Sequence, residues 1–370
     1  MKVQMLDLGE QYQGIKEEVF TKLDEVMSSS SFILGQNVKT LEADVAQSSH
    51  CAHGIGVGNG SDAIHIALQA AGVTEGDEVI TTPFTFFATG GAIARANAKP
   101  VFVDIDPVTF NIDPSKIEAA ITDKTKAIIP VHLYGHMADM EAIMKIAQEH
   151  NLVVIEDAAQ AIGASANGKQ VGEIGTAATY SFFPTKNLGA YGDGGMIVTN
   201  DESLAEKARV IRVHGSKPKY YHHVLGYNSR LDELQAAILN VKFPHLNEYS
   251  EARRERAKFY TDELNKSVSE FVKTPTEVDG YHHVYHQYTL RVERRDELKA
   301  FLAEHEIASM IYYPMPLHLQ PVFKELGYQE GDFPETEKAT KEAISIPMWP
   351  ELKREQQEYV ISKINEFYSK

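Results

Sequence analysis

The sequence predicts an α/β fold in which a largely parallel sheet, covered by helices on both faces, precedes a second, smaller domain. Three observations predict it. Short apolar runs alternate with helical stretches between Asp77 and Asn200. Several of these runs are apolar throughout, as strands buried on both faces require. After Leu231 the composition changes to long, highly charged helical segments.

The predicted strands each end in turn or polar residues, and they cover 78–80, 100–104, 127–131, 152–155, 179–182 and 196–199. Helical stretches at 62–71, 114–120 and 140–149 have lengths that suit right-handed crossovers between parallel strands. We therefore expect one sheet with helices on both of its faces.

The second part of the chain is expected to combine helices with an alternating strand. Helices are predicted at 232–239 and 249–264, and the strand at 283–292. In that strand Val284, His286, Tyr288 and Leu290 alternate with mostly more polar neighbours, which predicts a sheet with one wetter face. We place the domain boundary near residue 245, giving a large domain, 1–245, and a small C-terminal domain, 246–370.

Charge and composition narrow the class of protein. The net charge of −16 repels polyanions, so we expect neither nucleic acid nor a membrane surface as a partner. Cys51 is the only cysteine and has no partner for an internal disulfide. Residues 1–13 lack the apolar stretch of a signal peptide, and no apolar run approaches the about 20 residues that cross a bilayer. We expect a cytoplasmic protein.

A glycine-rich turn runs into a helix at 54–63. Backbone N–H groups of Gly60, Ser61 and Asp62 at a helix N-terminus would form an anion site, helped by the Ser61 hydroxyl. No strand is clear before this turn, and the glycine spacing does not match a dinucleotide-binding motif. A phosphate cradle and an ordinary helix cap therefore stay open as alternatives.

Two charged residues stand at informative places. Asp157 follows a predicted strand, where ligands bind in open α/β sheets, although an acid there also serves as a cap or turn residue. Lys186 lies between an aromatic strand and a glycine-rich turn. Its apolar and small neighbours would lower its pKa and favour use as a nucleophile, the alternative being a solvated lysine.

These three features together match the needs of pyridoxal phosphate (PLP). The cofactor needs a lysine for a Schiff base, a carboxylate beside its pyridine nitrogen and an anchor for its phosphate. The carboxylate keeps the nitrogen protonated, so that the ring withdraws electrons when a proton leaves the neighbouring carbon.

Five motifs resemble a known family. They are Gly-Asn-Gly-Ser-Asp-Ala at 58–63, Thr-Phe-Phe-Ala-Thr at 85–89, Glu-Asp-Ala-Ala-Gln at 156–160, Ser-Phe-Phe-Pro-Thr-Lys-Asn-Leu-Gly at 181–189 and Gly-Tyr-Asn-Ser-Arg-Leu-Asp at 226–232. In this order they resemble the DegT/DnrJ/EryC1/StrS nucleotide-sugar aminotransferases, from about Leu6 to the C-terminus. The resemblance implies the fold-type I architecture: a large domain with a mainly parallel seven-stranded sheet and a smaller C-terminal α+β domain. It also implies a homodimer with shared active sites.

The same resemblance implies roles for individual residues. Lys186 resembles the Schiff-base lysine, and Asp157 resembles the partner of the pyridine nitrogen. The remaining cofactor contacts are Gln160 at the ring hydroxyl, Phe86 stacked on the ring, and Gly60, Ser61 and Ser181 at the phosphate. Asn228 matches an asparagine that the neighbouring subunit supplies to that phosphate. The alternatives are core packing for Phe86 and a turn residue for Asn228.

Two segments are candidates for substrate binding. Tyr313 and His318 lie in a Tyr-Pro-x-Pro-x-His stretch that resembles the sugar-binding side of the family, the alternative being a proline-stiffened loop. The segment 214–223 concentrates aromatic rings with Lys217 and Lys219, which would hold a diphosphate and a base. An exposed loop or a dimer contact is the alternative there.

We expect no metal site. The histidines at 222–223 and 282–286 lack the spacing of a metal centre, and the chemistry proposed for PLP needs none.

The expected function is transfer of an amino group by way of pyridoxamine phosphate (PMP). The donor is an amino acid, usually glutamate in the family, and the acceptor is a keto group of a nucleoside-diphosphate sugar, with C3 favoured over C4. A PLP-dependent sugar dehydratase is one alternative, although dehydratases of this fold carry histidine where Lys186 stands. A regulatory or binding protein on the same fold is the other. The nucleotide, the sugar and the donor stay open.

Overall fold

A central sheet and two smaller sheets organise the chain. The computed structural model describes residues 1–370 and has thirteen strands: β1 (His53–Val57), β2 (Glu78–Thr81), β3 (Lys99–Phe102), β4 (Thr125–Ile129), β5 (Val153–Asp157), β6 (Ser165–Ala166), β7 (Lys169–Gln170), β8 (Ala177–Ser181), β9 (Gly195–Thr199), β10 (Val272–Lys273), β11 (Tyr281–His282), β12 (Tyr288–Val292) and β13 (Ala343–Ile346).

The central sheet has seven strands in the order β1-β9-β8-β5-β4-β2-β3. The pairs from β8 to β3 are all parallel, whereas β9 runs antiparallel to both of its neighbours. The predicted α/β class and mainly parallel seven-stranded sheet are therefore confirmed. Parallel neighbours place the carboxyl ends of β2, β4, β5 and β8 along one edge of the sheet.

Eleven α-helices accompany the strands: α1 (Leu8–Ser29), α2 (Gln36–Ser48), α3 (Gly60–Ala70), α4 (Phe87–Arg95), α5 (Met140–Glu149), α6 (Glu202–Ile211), α7 (Glu233–Lys242), α8 (Leu246–Ser267), α9 (Arg295–Glu304), α10 (Pro334–Glu342) and α11 (Arg354–Tyr368). One face of the sheet packs against α3, α4 and α6, and the opposite face packs against α2, α5 and α7. Both faces are buried, which explains the continuously apolar strands.

Three predictions of secondary structure were wrong. A strand, β1, does precede the glycine-rich turn. The glycines of β1 weaken its strand pattern in the sequence. Glycine is needed at position 54, because a Cβ there would lie 2.2 Å from the Glu42 carbonyl oxygen. Residues 114–120 form two 3₁₀ turns, Pro114–Lys116 and Glu118–Ala120, instead of one helix. So short a segment gains few α-helical hydrogen bonds. The strand expected at 283–292 is limited to β12, because Tyr285 has a φ of +42° that interrupts the extended chain.

A second core lies around the sheet β10-β12-β13. All residues of β12 are buried, so the expected wetter face does not exist. The N-terminus joins this core, because Val3 is buried in it and pairs with Ile307. The helix α8 starts beside the predicted boundary, and the division at residue 245 stays a prediction.

No helix in the structure combines the length and the apolar composition needed to cross a membrane.

The carboxylate of Glu233 closes the N-terminal end of α2 from a distant part of the chain. It is buried and accepts hydrogen bonds from the backbone N–H groups of Gly35, Asn37 and Val38 at 2.9, 2.5 and 3.2 Å. These groups have no partner within the helix, and the negative charge also suits the positive end of the helix dipole. The contact fastens α2 to α7.

We expect Glu233→Gln to lower the free energy of unfolding by about 1–3 kcal/mol, because charge-assisted bonds to buried N–H groups are lost. Urea unfolding followed by circular dichroism measures this loss. Glu25→Gln is the control, since Glu25 is exposed and pairs only with Lys22. Equal unfolding midpoints for Glu233→Gln and the wild type would contradict the prediction.

Candidate active site

The candidate site lies at the edge of the central sheet where the parallel strands end. Asp157 is the last residue of β5, and Ser181 is the last residue of the neighbouring β8. The loop after β8 carries Lys186. Strand order therefore brings together a carboxylate, a hydroxyl and an amine that the sequence separates.

Asp157 is a buried carboxylate with a fixed orientation. Its Oδ2 accepts a hydrogen bond from the Thr89 hydroxyl at 2.7 Å, and its Oδ1 accepts one from the Ala159 N–H at 3.2 Å. Burial raises the pKa of Asp157, while the bonds from Thr89 and Ala159 and the charge of Lys186 oppose that rise. The group is held by donors on two sides and faces the site as a hydrogen-bond acceptor.

Lys186 presents an amine without a close partner. Burial lowers its pKa to about 8, opposed only by the charge of Asp157, and no hydrogen bond to Nζ contributes. Its loop is tight: the Lys186 N–H bonds to the Phe183 carbonyl at 2.8 Å, and a Cβ on Gly189 would lie 2.3 Å from the Pro184 carbonyl oxygen. The lowered pKa increases the neutral fraction of the amine near neutral pH, which suits nucleophilic and proton-transfer roles.

The N-terminus of α3 faces the end of β8. A Cβ on Gly60 would lie 2.7 Å from the Ser181 Cβ, so glycine permits this close approach. The Asn59 side chain caps the helix by accepting the Asp62 N–H at 2.8 Å. The expected cradle of three N–H groups is thus reduced to those of Gly60 and Ser61. Two N–H groups and two hydroxyls, from Ser61 and Ser181, are of the kind that binds phosphate.

Gln160, Tyr313 and Phe86 form one wall of the site. The Gln160 Oε1 accepts the N–H of Tyr134 at 2.6 Å, and its Nε2 donates to the Tyr313 hydroxyl at 3.1 Å. Phe86 stands 6.2 Å from the Tyr313 ring and is 58% exposed, whereas Phe84 is buried in the core. An exposed aromatic face beside an oriented amide suits a flat, polar ring.

Other predicted residues lie apart from this group. Asn228 is exposed and accepts a hydrogen bond from Arg230. Lys217 pairs with Glu206, and Lys219 lies 5.1 Å from the Tyr220 ring centre. All three side chains are exposed to solvent.

His318 is fully buried rather than open to solvent. Its Nε2 lies 3.2 Å from the Glu337 carboxylate, and its Nδ1 has no partner. A contact between His318 and a sugar therefore requires a path to Nδ1.

Sequence reasoning missed several residues that shape the site. Thr89 ends the quoted motif at 85–89, but its hydrogen bond to Asp157, a residue far along the chain, has no signal in the sequence. Tyr134, with a φ of +60°, orients Gln160 from another loop. Arg253 and His286 line a cavity of about 670 Å³ together with Thr185 and the N-terminal residues 2–8.

The residues fit PLP on structural grounds. Lys186 supplies an amine with no hydrogen bond, and Asp157 supplies a buried acceptor. The close approach of Gly60 to Ser181 leaves the free N–H groups of α3 pointing out of the helix end. This set matches the aldehyde, the pyridine nitrogen and the phosphate of the cofactor.

Comparison with known proteins gives one family. The model described as the DegT/DnrJ/EryC1/StrS aminotransferase family matches residues 13–365. The chain is 73% identical to a protein from Geobacillus stearothermophilus named pleiotropic regulatory protein, covering 100% of this chain and 99% of the relative. It is 48% identical to a UDP-N-acetyl-3-dehydro-alpha-D-glucosamine 3-aminotransferase from Acidithiobacillus ferrooxidans, covering 96% and 95%.

Solved structures agree. DesV from S. venezuelae, in complex with a ketimine intermediate, superposes with a TM-score of 0.97 at 38% identity, covering 100% of this chain and 99% of the other. NtdA from Bacillus subtilis with bound PMP gives a TM-score of 0.93 at 32% identity, covering 100% and 86%.

The low pKa of Lys186 predicts a pH-dependent stability of the PLP-free protein. An amine whose folded-state pKa lies below its unfolded value destabilises the fold while it is charged, and this penalty fades as pH rises from about 8 towards 10.5. We expect PLP-free Lys186→Met to be more stable than PLP-free wild type by about 1–3 kcal/mol at pH 7. Urea unfolding at pH 7 and 9.5 measures the difference.

The advantage of the variant should shrink at pH 9.5. Lys22→Met is the control, because Lys22 is exposed. A difference that stays constant between the two pH values would contradict the assignment of a depressed pKa to Lys186.

Proposed function

The chain belongs to the DegT/DnrJ/EryC1/StrS aminotransferase family, and from this premise we propose a nucleotide-sugar aminotransferase that uses PLP. It transfers an amino group from an amino acid, expected to be L-glutamate, to the C3 keto group of a nucleoside-diphosphate sugar. The observation that carries the proposal is the buried amine of Lys186 at the strand-end edge, near enough to the buried carboxylate of Asp157 for their charges to interact.

Each residue of the site has a defined task in this proposal. The Asp157 carboxylate holds the pyridine nitrogen in its protonated form, and the Thr89 hydroxyl keeps that carboxylate oriented. The N–H groups of Gly60 and Ser61, with the Ser61 and Ser181 hydroxyls, hold the phosphate. Phe86 covers one face of the ring, and the Gln160 Nε2 donates to the ring hydroxyl.

When bound, PLP supplies an electron sink for the carbon that loses a proton. The Lys186 Nζ would remove that proton from the α-carbon of the donor and deliver it to C4′ of the cofactor. Its pKa of about 8 suits both directions near neutral pH, since efficient acid–base groups have a pKa close to the working pH.

The preference for C3 rests on likeness. The 48% identical relative is named a 3-aminotransferase acting on a UDP sugar. The run Lys-Asn-Leu-Gly-Ala-Tyr-Gly-Asp-Gly-Gly at 186–195 resembles members that act at C3. A dehydratase is disfavoured because Lys186 stands at the position where dehydratases of this fold carry histidine.

A regulatory role is the second candidate, favoured by the name of the 73% identical relative. A protein that only binds a ligand has no need for a buried amine with a depressed pKa beside a buried carboxylate. The Lys186–Asp157 pair therefore favours catalysis.

We further propose a homodimer in which Asn228 reaches the phosphate in the partner's site. Asn228 is exposed, and only its Oδ1 is hydrogen-bonded within the chain, to Arg230, so its Nδ2 can donate to another chain. Exposed apolar side chains support association, among them Phe20 and Met27 on α1 and Leu225, which is 88% exposed, close to Asn228.

The decisive experiment incubates the PMP form with a panel of 3-keto and 4-keto nucleotide sugars carrying different nucleotides, with products followed by mass spectrometry. We expect amine products from 3-keto substrates. The rate of Lys186→Ala should be lower by more than about a thousandfold, because the variant lacks the amine that acts as general base and general acid. Products from 4-keto sugars alone would overturn the C3 assignment, and absence of any lysine-bound PLP would favour the regulatory role.

The basic segment 214–223 makes a separate prediction. If Lys219 contacts the diphosphate, Lys219→Glu should raise the KM for the nucleotide sugar about tenfold, which corresponds to about 1.4 kcal/mol. Lys217→Glu should act in the same direction. Steady-state kinetics measures both, with Lys207→Glu as the exposed control on α6. Unchanged KM values in both variants would remove the segment from the substrate site.

A further inference from the structure

A cavity of about 670 Å³ opens beside the loop that carries Lys186. Its lining includes Thr185, the N-terminal residues 2–8 and two side chains of the C-terminal half, Arg253 and His286. The roles assigned above to the cofactor-binding residues make no use of Arg253 or His286. His286 lies close enough to both Lys186 and Arg253 for their charges to act on its ring.

Arg253, on α8, is a buried cation without a carboxylate partner. Its Nη1 donates to the carbonyl oxygens of Tyr285, His286 and Met348 at 3.3, 3.4 and 3.2 Å. Nε has no partner, and Nη2 makes no hydrogen bond either. Burial lowers the pKa of Arg253 to about 10, opposed by the charge of Glu351. The unbonded Nη2 leaves the guanidinium able to donate a charge-assisted hydrogen bond to a carboxylate.

The other charged residues along the cavity do not neutralise Arg253. Asp7 accepts the Gly9 N–H at 2.8 Å as the cap of α1. Glu306 and Lys2 are exposed. The charge of Glu351 acts on Arg253 without forming a salt bridge, so an anion that hydrogen-bonds the guanidinium would supply a contact that Glu351 does not.

His286 adds a hydrogen-bond acceptor. The Asn187 amide donates to the Val284 carbonyl at 3.0 Å, so the Asn187 Oδ1 faces the His286 Nδ1 at 3.2 Å. This arrangement puts the proton of the ring on Nδ1 and leaves a lone pair on Nε2. Burial, followed by the charges of Lys186 and Arg253, lowers the pKa of His286, which keeps the ring neutral.

We propose that Arg253 and His286 bind the amino donor, with the Arg253 guanidinium holding the α-carboxylate and the His286 Nε2 accepting a hydrogen bond from the ammonium group. The inference rests on the proposed function. It defines the donor as an α-amino acid recognised by its carboxylate. The charge of Lys186 acts on His286, and Arg253 donates to the His286 carbonyl, so a donor held by these two residues would lie near the amine that takes its proton.

The test separates the two half-reactions of the PLP-loaded enzyme. Single-turnover loss of cofactor absorbance gives the apparent Kd for L-glutamate, and calorimetry on the same holoenzyme gives the Kd for glutarate, which has no amino group to transfer. We expect Arg253→Gln to weaken both at least tenfold. The reaction of the PMP form with a keto sugar should change less than about twofold, because it requires no donor carboxylate.

Arg254→Gln is the matched control. Arg254 is the next residue on α8, pairs with Glu277 and does not line the cavity. It should leave donor binding unchanged. Arg253→Lys should retain part of the affinity, and His286→Gln should weaken L-glutamate more than glutarate. These two variants decide the question if Arg253→Gln fails to fold by circular dichroism.

Two outcomes would overturn the inference. The first is an unchanged Kd for L-glutamate and glutarate. The second is an equal loss in both half-reactions, which would assign Arg253 to the packing of α8 or to the sugar nucleotide. Failure of the proposed function looks different, since the wild-type holoenzyme would then accept an amino group from no amino acid.

Discussion

The structure depends on keeping an amine and a carboxylate together in a buried position without letting them form a close ion pair. The charges of Lys186 and Asp157 interact, yet burial still lowers the pKa of the lysine and raises that of the acid. A close salt bridge would fix both groups in their charged forms and remove the free amine. The separation is imposed by the backbone, because Asp157 ends one strand and Lys186 sits in the tight loop beyond the next one.

The rest of the site supports this arrangement with groups that are already in place. Thr89 and Ala159 orient Asp157, and Tyr134 orients the amide of Gln160. Because these bonds exist within the chain, a ligand need not order the side chains when it binds. A carboxylate, an amide and a helix end of fixed direction form a template for a flat, charged ring.

Much of this could be predicted from the sequence, and the limits are physical. The sequence identifies Asp157 and Lys186 because each comes at or after the end of an apolar strand that is followed by polar or turn residues. The carboxyl ends of parallel strands meet at one edge of a sheet, where ligands bind. The roles of Thr89, Tyr134 and Arg253 could not be predicted, because their contacts join segments that lie far apart in the chain. The burial of β12 could not be predicted for a similar reason. The alternation of apolar and polar residues indicated one solvent-exposed face, but helices from other parts of the chain, α8, α9 and α11, complete the core around this strand. The domain boundary and the individual residue roles stay predictions.

The pairing of Val3 with Ile307 joins two segments that lie far apart in the sequence. The core that contains Val3 also contains Phe367 of α11. That core can be completed only after α11 has been synthesised, whereas the strands β1 to β9 precede α11 and can pair earlier. Until α11 packs, the growing chain therefore exposes apolar side chains of its second core, a state in which contact with other chains leads to aggregation.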